Sequence, residues 1–252
     1  LEPGWLSYPE QARLAGATAR HVPHDASIEA ILDSIGPRTR MLIANNPNNP
    51  AGRLYTHEEI QQLYDGCHTR GVYFLVDESY SDFPIGVPFP SLAAIAADRD
   101  GALVVNSLSK NLGVSGWRIG YLIGSRDFVA QLLKVNQHLI TCAPTLLAHY
   151  CAENFEEMVA VTTPQIEALG QKRDRVGTMI EASGLNVMAG TTTFYFFVSI
   201  GDFPGTDIEF AHKLLIDDQI AVVPGSAYGR STDRFVRISI GTESENRIGD
   251  AL

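Results

Sequence analysis

A loop between two predicted strands carries the residue types with the most reactive side chains. Residues 107–118 contain Ser107, Ser109, Lys110 and Arg118, with glycines among them. Hydroxyl and guanidinium groups beside exposed backbone N–H groups can bind a phosphate, and a lysine amine can condense with a carbonyl compound. A solvated loop with an ordinary surface lysine is the alternative, and this segment alone does not decide between them.

A carboxylate stands at the end of an apolar segment. Val72–Val76 is apolar throughout, which predicts a central strand, and Asp77 closes it with Tyr80 following. A carboxylate at the buried end of a strand needs a cationic partner, because its burial is otherwise unfavourable. A protonated pyridine nitrogen would be such a partner, and the pairing would make the ring a better electron acceptor. Asp77 acting only as the N-cap of a following helix is the alternative.

A third segment, Asn46–Gly52, contains two Asn-Pro steps and a glycine. These residues predict an irregular loop. Such a loop can direct the amide of Asn49 at a ligand oxygen. The alternative is that these residues form only a turn-rich connection between two elements.

Alternating apolar runs and helical patterns in the first 125 residues predict an α/β domain with a mostly parallel sheet. The three polar segments described above follow predicted strands, where open α/β sheets bind ligands. Longer connections later in the chain predict a smaller α+β domain, so the expected domains are residues 1–161 and 162–252. The predicted strands are 40–45, 72–76, 102–106, 118–123, 193–199, 220–223 and 235–240. One predicted helix begins at a capping box at 56–59 and another at Ser125, and two more span 163–183 and 207–217.

Composition excludes several classes of function. The 252 residues carry 29 acidic and 19 basic side chains, a net charge of -10, which argues against general nucleic-acid binding. An anionic ligand must therefore be held by a few local donors. No apolar run approaches the roughly 18 residues of a membrane helix. The three cysteines have no metal-binding spacing, which predicts reduced thiols, a cytoplasmic location and no metal site.

Taken together, these motifs resemble the class I/II aminotransferases, which are pyridoxal 5′-phosphate (PLP) enzymes of fold type I such as aspartate and histidinol-phosphate aminotransferases. The family's Asn-Pro-x-Asn-Pro-Thr-Gly, Asp-Glu-x-Tyr and lysine motifs occur in order, with Ala51 in place of Thr. The resemblance implies that Lys110 binds PLP as a Schiff base. It also implies contacts of Asp77 with the pyridine nitrogen, of Asn49 and Tyr80 with the phenolic oxygen, and of Ser107, Ser109 and Arg118 with the phosphate.

The resemblance extends to both ends of the chain. Pro224–Gly229 and Phe235–Ser239 are similar to the signature of the family's small domain. This similarity implies that Arg237, with Asn49, binds the substrate α-carboxylate, for which a planar guanidinium is suited. Trp5 falls where the family often has an aromatic residue stacked on the cofactor ring.

The implied activity is transfer of an amino group between an amino acid and a 2-oxo acid in a homodimer. Decarboxylases and lyases share the scaffold, so transamination is an expectation by analogy. A transcriptional regulator with an aminotransferase-like PLP-sensing domain is a second alternative, which the acidic charge disfavours. A catalytically inactive homologue is a third, which the intact Lys110, Asp77 and Arg237 disfavour.

The family resemblance also implies residues before Leu1. Family members carry a preceding segment of about a hundred residues, the size of a small domain. It includes a loop that binds the cofactor phosphate and a tyrosine that reaches the partner's site. The chain also stops before the family's usual last helix and strand. We therefore expect that residues 1–252 are part of a longer protein.

Expression of residues 1–252 alone should give a poorly soluble protein that binds PLP weakly, because a parallel sheet that loses a covering layer exposes apolar strand residues. A chain extended at its amino end should instead form a soluble homodimer with its site at the subunit interface. Light scattering and PLP occupancy of the two proteins compare these outcomes. A stable, fully active monomer of residues 1–252 would contradict the expectation.

Overall fold

The computed structural model describes residues 1–96 and 100–252. The chain forms two compact units. Unit 1 comprises residues 1–25, 48–54 and 168–252, and unit 2 comprises residues 26–47 and 55–167. No helix of the described residues is long and apolar enough to span a membrane.

The strands and helices are numbered in chain order. The strands are β1 (Met41–Asn45), β2 (Tyr73–Asp77), β3 (Ala102–Ser107), β4 (Gly120–Ile123), β5 (Tyr195–Ser199), β6 (Val223–Pro224) and β7 (Phe235–Ser239). The helices are α1 (Ser7–Leu14), α2 (Ile28–Asp33), α3 (His57–Thr69), α4 (Leu92–Ile95), α5 (Leu108–Asn111), α6 (Arg126–Leu139), α7 (Thr145–Glu153), α8 (Phe155–Ala182), α9 (Asp207–Asp217) and α10 (Glu245–Ala251).

The sheet of unit 2 has the strand order β1-β2-β3-β4. β1, β2 and β3 are parallel, which confirms the predicted mostly parallel sheet, whereas β4 is antiparallel to β3. β4 begins at Gly120, not at residue 118 as predicted, because Arg118 has a left-handed backbone (φ 55°) that cannot continue a strand. Gly120 also lies against β3, since a Cβ there would be 2.6 Å from the carbonyl oxygen of Asn106.

Helix α3 packs against this sheet and against α2. The predicted capping box is confirmed: the Thr56 hydroxyl accepts a hydrogen bond from the Glu59 N–H, and the Glu59 carboxylate accepts one from the Thr56 N–H. The buried face of α3 includes Ile60 and Leu63. Gly66 allows the close approach of α2, because a Cβ there would lie 2.4 Å from a methyl group of Leu32.

The sheet of unit 1 is antiparallel, in the order β5-β7-β6. Phe196 and Val198 pack on one side with Val176 and Ile180 of α8, in the apolar core of this unit. The strand predicted at 220–223 is wrong in extent, since β6 covers only residues 223 and 224. Gln219 is left-handed (φ 59°), and proline has no N–H with which to extend the ladder.

The long helix α8 begins at Phe155, eight residues before the predicted start at 163, and continues through Pro164. The predicted domain boundary after residue 161 lies within α8, as does the passage from unit 2 to unit 1 after residue 167. The division into a larger and a smaller domain stays a prediction.

Glu78 joins the end of β2 to α4 in unit 2. Its carboxylate accepts hydrogen bonds from the Leu92 N–H at 2.8 Å and from the Ser91 hydroxyl at 2.9 Å. Only 4% of the residue is exposed. Burial raises the pKa of Glu78 to about 7, against the opposing effect of these hydrogen bonds, and the charge of Asp77 adds to the rise.

Replacing Glu78 with Gln should remove a pH dependence of stability. A raised folded-state pKa means that folded Glu78 keeps a proton that the unfolded chain has lost, so the free energy of unfolding falls as pH rises from about 4.5 to about 7. We expect Glu78→Gln to flatten this slope. At pH about 8, the free energy of unfolding from urea titration should be higher in the variant by roughly 1–3 kcal/mol. Glu29→Gln, at an exposed position in α2, is the control. An unchanged slope in Glu78→Gln would refute the assignment.

Candidate active site

The carboxyl ends of three strands lie at one edge of the sheet in unit 2. The parallel register places Asn45, the last residue of β1, opposite Asp77, the last residue of β2. The Asn45 side chain donates to the Asp77 carbonyl at 2.9 Å, and the Asn46 N–H donates to the same oxygen at 2.9 Å. β3 ends at this edge with Ser107. The backbone that carries Asp77 is therefore fixed by β1 and by the residue after it.

Asp77 ends β2, and Tyr80 lies in the turn that follows. The Asp77 carboxylate accepts a hydrogen bond from the Ser79 N–H at 3.0 Å. Tyr80 is buried, and its ring meets Phe83 edge-on with 5.6 Å between centroids. A carboxylate therefore stands on the last residue of a central strand, and a phenol follows three residues beyond it.

Lys110 lies on α5, the short helix that follows β3 directly. The Ser107 hydroxyl caps this helix by accepting from the Ser109 N–H at 3.3 Å. Buried apolar residues stand on both sides of the half-buried lysine, since Leu108 and Leu112 pack in one cluster with Ile119. These contacts fix the backbone at Lys110.

Arg118 ends the same loop. Its left-handed backbone is uncommon for a residue other than glycine, and such conformations cluster at functional sites. The exposed side chain turns back along the loop, and its Nη1 donates to the Ser115 carbonyl at 2.9 Å. Arg118 and the hydroxyls of Ser107 and Ser109 therefore belong to one loop with Lys110.

Buried amides behind this loop were not predicted as site residues. The Asn111 side chain donates to the Ser81 hydroxyl at 3.0 Å, and Asn106 donates to the same hydroxyl at 3.2 Å. This links the turn after β2 to the helix that bears Lys110. The sequence signal for this link was Asn111, a polar residue that directly follows Lys110 and lies between the buried Leu108 and Leu112.

In unit 1, Arg237 and Asn49 are in direct contact. Arg237 lies on β7, and its Nη1 donates to Asn49 Oδ1 at 3.2 Å. Its Nε is buried without a hydrogen-bond acceptor. The guanidinium carbon stands 4.1 Å from the ring centroid of Tyr195 and 5.2 Å from that of Tyr228. Burial raises the pKa of Tyr228 to about 12, although the charge of Arg237 acts in the opposite direction.

The loop that carries Asn49 is held at both ends. The Gly52 N–H donates to the Asn48 carbonyl at 2.8 Å, and the Thr192 hydroxyl donates to the Gly52 carbonyl at 2.8 Å. Gly52 is required, since its φ is +80° and a Cβ would lie 2.6 Å from the Thr192 carbonyl oxygen. The Asn46–Pro47 and Asn49–Pro50 peptide bonds are both cis.

Trp5 also lies in unit 1. It is 38% exposed and touches Tyr8 edge-on. The preceding backbone is tied to other segments of this unit, because the Gly4 N–H donates to the Tyr228 carbonyl at 3.0 Å and the Asn48 side chain donates to the Pro3 carbonyl at 3.0 Å. The role of Trp5 in stacking stays a prediction.

The donor set of unit 2 fits PLP. It provides a carboxylate for a ring nitrogen, a phenol for the ring oxygen, an amine for the aldehyde, and two hydroxyls and a guanidinium for the phosphate. Among residues 1–96 and 100–252, no group of three or more His, Cys, Asp or Glu side chains could hold a metal ion.

Comparison with known proteins gives consistent matches. The pattern of the family described as aminotransferase class I and II matches residues 1–249. A probable aspartate/prephenate aminotransferase of Aquifex aeolicus is 28% identical, over 98% of this chain and 66% of that protein. A probable N-acetyl-LL-diaminopimelate aminotransferase of Bacillus subtilis is 32% identical, over 83% of this chain and 53% of that protein.

Solved structures agree with the sequence matches. A double mutant of the Thermus thermophilus aspartate aminotransferase superposes with a TM-score of 0.89 at 28% identity, covering 99% of this chain and 66% of that one. The chain thus spans between about half and two thirds of the length of these relatives. The motifs at the sheet edge, the family match over nearly all residues and the shared fold together show that this chain belongs to the class I and II aminotransferases, a family of PLP-dependent enzymes of fold type I.

Proposed function

We propose that the protein containing this chain is a PLP-dependent aminotransferase, which moves an amino group between an amino acid and a 2-oxo acid. The observation that carries the proposal is the grouping of Lys110, Asp77 and Tyr80 at the carboxyl edge of one sheet in unit 2. An amine, a carboxylate and a phenol at that edge suit a cofactor with an aldehyde, a ring nitrogen and a ring oxygen.

When bound, PLP supplies an electron sink that stabilises negative charge at the substrate Cα. Asp77 would keep the ring nitrogen protonated, because a nearby carboxylate favours the charged form of a base. Tyr80 and Asn49 would bind the phenolic oxygen. Ser107, Ser109 and Arg118 would bind the phosphate, with Arg118 supplying the charge.

Lys110 would have two roles. Its amine would first bind the cofactor aldehyde covalently. Once a substrate amine has taken its place, the lysine Nζ would accept the proton from the substrate Cα and then return it to a different carbon, acting as general base and then general acid. The anchoring of Leu108 and Leu112 supports this role, because the backbone stays fixed while only the side chain moves.

Arg237 would bind the substrate α-carboxylate. Its buried Nε has no acceptor, and within the described residues no carboxylate forms an ion pair with it. A guanidinium in this state is suited to a bidentate contact with a planar carboxylate. Asn49 would orient it through the contact with Nη1, and would also lie near the bound substrate.

We also infer a homodimer in the cytoplasm. Helix α6 has no buried residue, although it carries several large apolar side chains; Leu133 is 60% and Leu139 is 77% exposed. An exposed apolar face of this kind is typical of a surface that another chain covers. Cys67, Cys142 and Cys151 are free thiols, which supports a reducing compartment.

The first test is covalent labelling of Lys110. The full-length protein should show an absorbance band near the visible edge, and borohydride should fix the cofactor on Lys110, as peptide mass spectrometry can detect. Lys110→Ala should lose the label, whereas Lys134→Ala, on exposed α6, should keep it. A label on another lysine would show that Lys110 is not the cofactor residue.

The second test concerns Asp77. Asp77→Asn should fold normally but turn over more slowly by roughly two or more orders of magnitude, because an amide does not favour a protonated ring nitrogen. Asp127→Asn, in the first turn of α6, controls for loss of an acidic side chain. Steady-state kinetics and circular dichroism measure the two effects. Near-normal turnover in Asp77→Asn would mean that Asp77 is only a structural cap.

A further inference from the structure

The guanidinium of Arg237 packs against aromatic rings on one face of the sheet in unit 1. Phe197 of β5 is the register partner of Arg237, and Tyr195 lies two residues away on the same face. Tyr228 comes from the turn Gly225–Tyr228, and its ring meets Phe197 edge-on with 5.8 Å between centroids. The rings of Tyr195 and Tyr228 lie 4.1 and 5.2 Å from the guanidinium carbon.

These rings replace an acidic counter-ion. Arg237 donates a hydrogen bond to the neutral amide of Asn49, and within residues 1–96 and 100–252 no carboxylate forms an ion pair with Arg237. A partly buried cation needs electrostatic compensation. The negative faces of aromatic rings provide some of it without occupying the N–H groups at the edge of the guanidinium.

The two tyrosines are themselves held in the interior of unit 1. Tyr195 and Tyr228 are both buried. The backbone of Tyr195 is further held by Arg173 of α8, which donates to its carbonyl oxygen. An arginine packed on such rings loses little freedom when a ligand binds, since its plane is already fixed.

We propose that Tyr195 and Tyr228 are positioning residues for carboxylate recognition, which hold the plane of the Arg237 guanidinium in one orientation without occupying its N–H groups. This inference rests on the proposed function, in which Arg237 binds the substrate carboxylate. An Asp or Glu in the place of either ring would compensate the charge equally well but would compete with the substrate for the same N–H groups. The aromatic face is the required feature, and the hydroxyl is not.

The test uses the full-length, PLP-loaded protein with Tyr195→Leu and Tyr228→Leu. Tyr195→Phe and Tyr228→Phe keep the ring and lose the hydroxyl. Phe196→Leu is the matched control, because Phe196 is a buried aromatic residue of the same strand that packs on Arg173 instead of Arg237. Arg237→Ala reports whether carboxylate binding depends on Arg237 at all. Circular dichroism and thermal unfolding establish that each variant is folded.

Two measurements distinguish a loss of Arg237 positioning from a general loss of packing. Calorimetry measures binding of maleate, a dicarboxylate without an amino group. Kinetics compare L-aspartate with β-alanine, which is aspartate without its α-carboxylate. We expect each Leu variant to weaken maleate binding and to raise the KM for L-aspartate by roughly tenfold, the size of a buried cation–π contact. The kcat and the slow reaction of β-alanine should change little, and the Phe variants should resemble the wild type.

The outcomes distinguish the inference from the function on which it rests. Leu variants that bind maleate like the Phe variants, or a Phe196→Leu variant with the same loss, would overturn the positioning role alone. Maleate binding that is insensitive to Arg237→Ala would overturn both the carboxylate role of Arg237 and the positioning role. If a variant at position 228 is too unstable to assay, position 195 decides by the same comparison of Leu with Phe.

Discussion

The parallel register of β1, β2 and β3 is the constraint on which the candidate cofactor site in unit 2 depends. It places Asn45 opposite Asp77 and Asp77 opposite Val105, so that the segments after each strand emerge at one edge. A slip of one residue would turn every side chain of a strand to the other face. The buried apolar side chains of β2 and β3, including Phe74, Val76 and Val104, oppose such a slip. Hydrophobic burial thereby fixes the position of the polar groups at that edge.

Electrostatics act locally in this chain. The net charge of -10 gives no general attraction for anions, yet both proposed anionic groups, a phosphate and a carboxylate, have a dedicated arginine. Arg118 is exposed and is directed by a left-handed backbone. Arg237 is instead enclosed by tyrosine rings and an amide. The surroundings of the two arginines differ because water solvates the charge of Arg118, which then needs only to be oriented. The charge of the enclosed Arg237 must also be compensated by neighbouring groups.

Local signals in the sequence predicted much of the fold. The capping box at Thr56, the helix over residues 207–217 and the strand ends at Asn45 and Asp77 follow from residue types within a few positions. The errors concern the bounds of elements, such as the start of α8. Proline is favoured in the first turn of a helix, but α8 begins at Phe155 and runs through Pro164.

The roles of the candidate site residues stay predictions. The motifs named Lys110, Asp77 and Arg237 directly, since each lies in a recognisable segment. The sequence could not reveal the contact of Arg237 with Tyr195, because that contact depends on the register of β5 and β7. It could not reveal the link between Asn111 and Ser81 either, which joins segments 30 residues apart.

The most direct measurement of the central claim is a half-reaction of the full-length protein with one amino acid and no acceptor. The absorbance of the PLP-loaded protein should change, and mass spectrometry should detect the matching 2-oxo acid in an amount equal to the cofactor, with an amino group retained on the cofactor. Release of carbon dioxide with formation of an amine, or no reaction with any member of a broad panel of amino acids, would contradict the assignment as an aminotransferase.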